Sequence, residues 1–153
     1  MDGPAEILDG MGLEYRLHCS DGSGAVSGRE VAEAMGADPG SVIKTLVARG
    51  GSGRHYAFLV PSSGRLDLRK AACSVGEDSV DLVPSEDLLR ITGYVHGGCS
   101  PVGSRTPLTT VMDSSAAGRG TLIIGGGRVG LQIEIRADVL EKAVGMTVAD
   151  LLL

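Results

Sequence analysis

Apolar and polar positions alternate between two periods along this chain, and the switches mark its elements. Ile7, Leu8 and Met11 fall on one face behind Pro4, which predicts a short helix from Pro4 to Met11, ended by Gly12. Leu13, Tyr15, Leu17 and Cys19 alternate with polar residues, the pattern of a half-buried strand. Ser27 and Glu30 have capping-box spacing ahead of a helix carrying Val31, Ala34 and Met35 and stopping at Gly36. Asp38-Pro39 then reads as an N-cap with proline opening a short turn of helix. Strands over 45–49 and 55–60 flank Gly50-Gly51-Ser52-Gly53 as a hairpin. Asp67 caps a helix over 68–74, a short strand covers 79–83, and Ser85-Glu86-Asp87 opens a helix with Leu88, Leu89 and Ile91 on its core side, ending at Gly93. Strands follow over 108–112, 122–124 and 131–135, the last two joined across Gly125-Gly126-Gly127-Arg128-Val129-Gly130. The tail predicts helices over 138–144 and 147–153. Interleaved strands and helices with hairpins imply a mixed sheet and an α/β or α+β class.

Composition narrows this picture. One ordinary domain over 1–153 is expected from 153 residues. Aromatics are only 3%, with Phe58 the sole phenylalanine and no tryptophan, so the core is built from Val, Leu, Ile, Met and Ala. No apolar run approaches the ~20 residues of a membrane span, and Met-Asp-Gly-Pro has neither a basic start nor an apolar signal core. A cytoplasmic protein with no membrane partner is therefore expected. Three separated cysteines, Cys19, Cys73 and Cys99, fit no disulfide framework or zinc spacing, and no His/Cys/Asp grouping has metal spacing. A net charge of −5 argues against bulk electrostatic capture of nucleic acid. The densest basic cluster, Arg65, Arg69 and Lys70, reads as a solvated face that could contact an RNA backbone.

Candidate chemistry gathers at Gly93-Tyr94-Val95-His96-Gly97-Gly98-Cys99-Ser100-Pro101-Val102-Gly103. Gly97 and Gly98 admit backbone angles and close approaches that side chains forbid, and Pro101 stiffens the far end. Such a loop reads as a cradle of backbone N–H groups, or more plainly as a glycine-rich connector. Lys44 opens a strand among apolar neighbours; its spacing alone favours a stem on the core with the amine in water. The tip Gly50-Gly51-Ser52-Gly53-Arg54 lacks the Gly-Lys-Ser/Thr ending of a phosphate loop and joins two strands, so that reading is rejected. His96 with Cys99 would suit a thiol nucleophile and base; a small apolar cysteine in a loop is the simpler reading.

Three motifs in order, Lys44-Thr45-Leu46, the Gly97–Gly103 loop and Gly-Gly-Gly-Arg-Val-Gly-Leu-Gln-Ile-Glu, resemble the YbaK / prolyl-tRNA-synthetase-associated editing domain family, over roughly Pro4 to Leu151. The resemblance implies a mixed, barrel-like β-sheet with flanking helices. It implies a trans-acting deacylase that hydrolyses mischarged tRNA, most often cysteine or alanine on proline tRNA, with no metal or cofactor. Partners would be the aminoacylated 3′ end of tRNA and a prolyl-tRNA synthetase. By the same resemblance Lys44, Gly98, Cys99 and Ser100 would act at the ester, and Ser27, Thr45, Gly97, Pro101, Val102, Gly103 and Gln132 would bind substrate. Backbone N–H groups around Gly98 to Ser100 would face the oxyanion, and groups of the substrate would serve as base. Cys-deacylating relatives tend to carry Asp where this chain has Gln132, aromatic residues near Ser20 and Ser27, and an aliphatic residue at the position of Cys99. These departures touch the amino-acid pocket, and Gln132 gives weight to an alternative: a non-catalytic module of the same fold that binds a tRNA end or a synthetase.

Overall fold

The computed structural model describes residues 3–19 and 28–153. The elements are α1 (Pro4–Gly10), β1 (Arg16–Cys19), α2 (Gly28–Met35), β2 (Ile43–Gly50), β3 (His55–Pro61), α3 (Leu68–Val75), β4 (Val80–Leu82), α4 (Ser85–Thr92), β5 (Thr109–Asp113), α5 (Ser114–Ala117), β6 (Thr121–Gly125), β7 (Leu131–Arg136), α6 (Ala137–Val144) and β8 (Thr147–Ala149). Local chemistry sets many of these boundaries. The Asp67 carboxylate accepts the Arg69 and Lys70 N–H groups at the start of α3, occupying donors that a helix leaves unpaired. Gly93, at φ +86°, closes α4 in the left-handed region, where a β-carbon would be strained.

Two sheets form. The larger has the order β4-β2-β3-β5-β8, with β4-β2-β3 antiparallel and β3-β5-β8 parallel. The smaller, β1-β7-β6, is antiparallel throughout. They meet where Val42 bridges Ile123 and the Ile123 N–H donates to the Ser41 carbonyl at 2.8 Å. The α+β expectation with a mixed sheet and flanking helices holds, but no closed barrel forms among the described residues. Strand β3 explains its own unbroken apolar run. Ala57 and Leu59 join the core with Met112, Ile124, Ile133 and Leu140, while Tyr56, Phe58 and Val60 pack on the other side with Ala71, Ala72 and Leu151. A strand covered on both faces cannot alternate apolar with polar.

Several sequence expectations need correction. The segment 147–153 is not a helix. Thr147–Ala149 adds a parallel strand beside β5, and the chain then continues extended, with Leu152 bridging Leu66. Seven residues make a marginal helix, whereas here the Leu151 N–H donates to the buried Asp113 carboxylate at 2.8 Å, Asp67 N–H donates to Leu151 O and Leu153 N–H to Arg65 O. The four-residue α5, capped by Asp113, went unpredicted. Asp38 caps no helix; its carboxylate accepts the Gly40 N–H in a turn. The alternation at 13–19 turns the other way in its second half, because Leu13 and Tyr15 pack on the core while Leu17 and Cys19 are exposed. Leu89 also faces outward, leaving Leu88 and Ile91 as the buried side of α4. Ser27 and its capping box lie outside the described residues. Among the described residues no helix is long and apolar enough to cross a membrane.

Candidate active site

A cavity of about 200 Å³ opens where the two sheets meet. Strand β2 contributes Lys44 and Thr45, β7 contributes Gln132, and the loop after α4 contributes His96, Gly97 and Cys99. Gly125, at the end of β6, completes the polar side. Val31, Val42, Ile43, Leu46 and Leu88 supply apolar wall.

The half-buried Lys44 amine donates to the Gly64 carbonyl at 3.1 Å. Burial, then the neighbouring Arg65 charge, hold its pKa below the usual lysine value, since both disfavour the ammonium form. Gly64 is itself braced by the C-terminal strap: a β-carbon there would stand 2.9 Å from both Leu152 methyl carbons. The basic cluster of the sequence divides. Arg65 sits close enough to bias Lys44, whereas Lys70 is tied to the Asp150 carboxylate and the Leu152 carbonyl, at 2.9 and 2.6 Å.

The glycine loop is fixed from several sides. The Tyr94 hydroxyl donates to Val102 O at 2.6 Å, Val102 N–H donates to Ser100 Oγ at 3.2 Å, and Arg105 N–H donates to Thr92 O at 2.9 Å. Gly97 takes φ +89°. Gly98 O accepts from Gly127 N–H at 3.0 Å, pinning the loop to the β6-β7 hairpin. The contact is close: a β-carbon at Gly98 would lie 2.7 Å from the Arg128 Cα, and one at Gly125 would lie 2.1 Å from the Cys99 carbonyl oxygen. Two glycines are needed here for approach rather than for torsion.

The expected donors separate under this geometry. Gly98 N–H is engaged by Val95 O at 3.0 Å, and Ser100 N–H is directed at the Cys99 sulfur. Gly97 and Cys99 both line the cavity, and their N–H groups have no acceptor among the described residues. The structure thus brings Lys44, Thr45, Gly97, Cys99 and Gln132 to one cavity. Gly98, Ser100, Pro101, Val102 and Gly103 stand outside its lining; of these Gly98, Ser100, Pro101 and Val102 are buried. Gly125 was not singled out as a site residue from sequence, although the triple glycine was the signal for it. Nothing in the sequence marked Val31 or Leu88 as cavity wall.

His96 is exposed and Cys99 partly buried, and no hydrogen bond joins them. Burial pushes the Cys99 thiol up to about 11, against hydrogen bonds from Thr92 and the Ser100 N–H that favour the thiolate. At pH 8 about one molecule in a thousand would carry the thiolate. Iodoacetamide at that pH is therefore expected to label the exposed Cys19 and Cys73 and to spare Cys99 in the folded protein, as peptide mass spectrometry would show. Fast labelling of Cys99 would restore the thiol nucleophile. Elsewhere, His18 pairs with Glu134 at 3.1 Å on the far sheet. There a broader groove of about 620 Å³, lined by Arg16, Leu17, Glu134 and Arg136 among others, holds none of the candidate residues. Among the described residues no three His, Cys, Asp or Glu side chains are grouped to hold a metal ion.

A mixed two-sheet fold thus carries a small cavity lined by the Lys44 side chain and by two residues, Gly97 and Cys99, whose backbone N–H groups have no acceptor among the described residues. The comparisons with known proteins agree. The family model for the aminoacyl-tRNA editing domain matches residues 23–143. A protein of Enterococcus faecalis (strain ATCC 700802 / V583) that carries the name of a Cys-tRNA(Pro)/Cys-tRNA(Cys) deacylase, EbsC, is 33% identical over 115 residues, 75% of this chain and 70% of that one. A crystal structure described as a trans-editing enzyme for prolyl tRNA synthetase superposes with a TM-score of 0.85 at 31% identity, covering 97% of this chain and 93% of the other. A proline–tRNA ligase of Trichlorobacter lovleyi (strain ATCC BAA-1151 / DSM 17278 / SZ) is 29% identical over 96 residues, 63% of this chain but 17% of the ligase. The chain belongs to the aminoacyl-tRNA editing domain family.

Proposed function

We propose that this protein, as one editing domain over 1–153, is a trans-acting deacylase that hydrolyses the ester of a small uncharged amino acid on a mischarged tRNA. Cysteine and alanine on proline tRNA are the first candidates. The observation that carries the reading is the meeting, in one cavity, of Lys44 with Gly97 and Cys99, whose N–H groups have no acceptor among the described residues.

In this reading water adds to the ester carbonyl and the oxygen becomes negative. The Gly97 and Cys99 N–H groups meet that charge; of the Gly98 to Ser100 donors expected from sequence, only that of Cys99 is kept in this reading. Fixed donors cost no reorganisation when the charge develops, and each is worth roughly 10²–10³-fold in comparable cases. The tetrahedral adduct collapses by breaking the bond to the ribose oxygen, which leaves with a proton; the free amino acid carries the new oxygen. A hydroxyl or thiol of the substrate serves as the base, and Lys44 holds the ester or the terminal nucleotide as a point charge. The apolar wall keeps bulk water out, so orientation supplies much of the rate. The braced residues Ser100, Pro101, Val102 and Gly103 hold the loop in shape, and Thr45 and Gln132 face the amino acid. The Cys99 contribution is its backbone, so Cys99→Ser should keep most of the turnover.

With a net charge of −5, the protein would grip tRNA weakly alone. The segment shared with a proline–tRNA ligase favours a synthetase as the partner that delivers it. The test is single-turnover release of amino acid from a panel of aminoacyl-tRNAs. Turnover of at least one small uncharged ester above the blank rate is expected. Binding of tRNA or synthetase without turnover of any ester would instead establish the non-catalytic module, which the neutral Gln132 amide in the pocket favours.

A further inference from the structure

An ammonium on a flexible four-carbon stem has no fixed position of its own. Among the described residues the Lys44 amine has one hydrogen-bond acceptor, Gly64 O at 3.1 Å, so the direction of that carbonyl sets where the amine stands. The other two N–H bonds of the ammonium stay available to a ligand. Three contacts fix Gly64 itself. Its N–H donates to Pro61 O at 2.9 Å, and the next carbonyl along, Arg65 O, accepts the Leu153 N–H at 3.0 Å. Against its Cα lies the Leu152 side chain: a β-carbon on Gly64 would stand 2.9 Å from both Leu152 methyl carbons and 3.4 Å from Leu152 Cγ. Gly64 is outside the left-handed region, so glycine is needed here for this approach and not for torsion.

Leu152 is in turn held firmly. Its neighbour Leu151 is fully buried, donates its N–H to the buried Asp113 carboxylate at 2.8 Å and accepts the Asp67 N–H at 2.7 Å. From outside, the Lys70 amine donates to Leu152 O and to the Asp150 carboxylate, at 2.6 and 2.9 Å. We infer that Leu152 is a positioning residue for deacylation: packed on Gly64, it fixes the carbonyl that holds the Lys44 amine in place for the substrate. The inference rests on the deacylase reading and adds to it a residue outside the cavity lining. Leu152 also packs beside the cluster that contains Val60, Ala71 and Leu151, so the experiment must separate placement of the amine from a simple loss of stability.

The chain has three lysines, Lys44, Lys70 and Lys142, so the Lys44 ammonium can be watched directly. The experiment labels lysine Cε with ¹³C in the full chain and follows the Lys44 signal through a pH titration. It also measures kcat/KM at neutral pH on the panel of aminoacyl-tRNAs. Four proteins are compared: wild type, Leu152→Ala, Gly64→Ala and the double variant. Burial, then Arg65, hold the wild-type Lys44 pKa below the ordinary lysine value. Leu152→Ala releases the Gly64 carbonyl, and the amine is expected to move out with it, so that its pKa rises towards 10.5. Turnover is expected to fall by about 10²-fold, the scale for a misplacement of about 1 Å. Gly64→Ala pushes on the same two methyl groups and is expected to lower turnover by a similar factor. In the double variant the added β-carbon takes space that the leucine has vacated. Touching residues couple in this way, so the titration and most of the turnover are expected to return. Lost stability alone would leave the Lys44 titration unmoved in each folded variant. If Leu152→Ala does not fold, Lys70→Gln unfastens the strap from its outer side and is expected to move both readouts in the same direction. A folded Leu152→Ala protein with the wild-type Lys44 titration, or with wild-type turnover, would overturn the inference and leave the deacylase standing. No turnover of any ester by the wild type would overturn the deacylase reading; a Lys44 titration moved by Leu152→Ala would then still uphold the placement of the amine, and an unmoved one would overturn it.

Discussion

Replacing Lys44 with alanine is expected to lower kcat/KM for deacylation by about 10²–10³-fold, the scale for removing one electrostatic contact to a developing charge, while the melting temperature moves little. The two halves of this result have separate causes. In activity, Lys44 is the one cationic side chain lining the cavity among the described residues, and neither water nor the apolar neighbours would replace a fixed cation. In stability, the hydrogen bond from its amine to Gly64 O is lost, but so is a charge that the fold disfavours, since burial and Arg65 lower its pKa. The sign follows from linkage. Between the lowered folded pKa and the ordinary lysine value of 10.5 the unfolded chain holds a proton that the folded chain has released. Stability contributed by Lys44 is therefore full above 10.5 and is lost as pH falls through the folded pKa. At neutral pH the charged lysine is a cost, and alanine relieves it. Single-turnover kinetics with calorimetry on the same variant check both halves. Full activity would remove Lys44 from the mechanism, and a large drop in melting temperature would make any lost activity uninformative. The wild-type basic limb, corrected for spontaneous ester hydrolysis, should turn down below pH 10.5 and should be missing from the variant.

How much of this was legible beforehand depended on how far apart the determining residues lie. Signals confined to a few neighbours were readable: the Asp67 cap, the Gly93 terminus, and the two hairpins at 50–54 and 125–130. The C-terminal segment was not. Val148 and Leu151 have no local preference strong enough to matter, and their state is decided by β5 and by the Asp113 carboxylate, 38 residues before Leu151. The site divides in the same way. Lys44, Thr45, Gly97, Cys99 and Gln132 could be named from three short motifs, because the motifs are local. Which N–H groups remain free could not, because a tight turn to Val95 occupies Gly98 and the Cys99 sulfur draws Ser100. Nor could the anchor of Lys44 be read, since Gly64 lies 20 residues on and is shaped by Leu152 from the chain's end.

That dependence on distant backbone makes Gly125→Ala the second large expected effect. Gly125 is not in the left-handed region, so torsion does not forbid alanine there. Space does. The added β-carbon would stand 2.1 Å from the Cys99 carbonyl oxygen and 2.9 Å from its carbon. Both are backbone atoms, and they cannot swing aside as a lysine tip would. Either β6 or the loop must shift. Overpacking of this kind costs about 1–3 kcal/mol, or a melting temperature lower by roughly 3–10 °C in a chain of this size. Deacylation should fall further than stability, because a displaced Cys99 carbonyl carries its own peptide plane with it and re-aims the neighbouring donors. A misplacement of about 1 Å can cost on the order of 10²-fold. The control is Gly51→Ala at the tip of the β2-β3 hairpin, where a β-carbon meets nothing within 4 Å; it should leave both quantities close to wild type. If Gly125→Ala were as active and stable as that control, the loop would not be held by the hairpin, and the donors proposed for the oxyanion would lose the rigidity on which their effect depends.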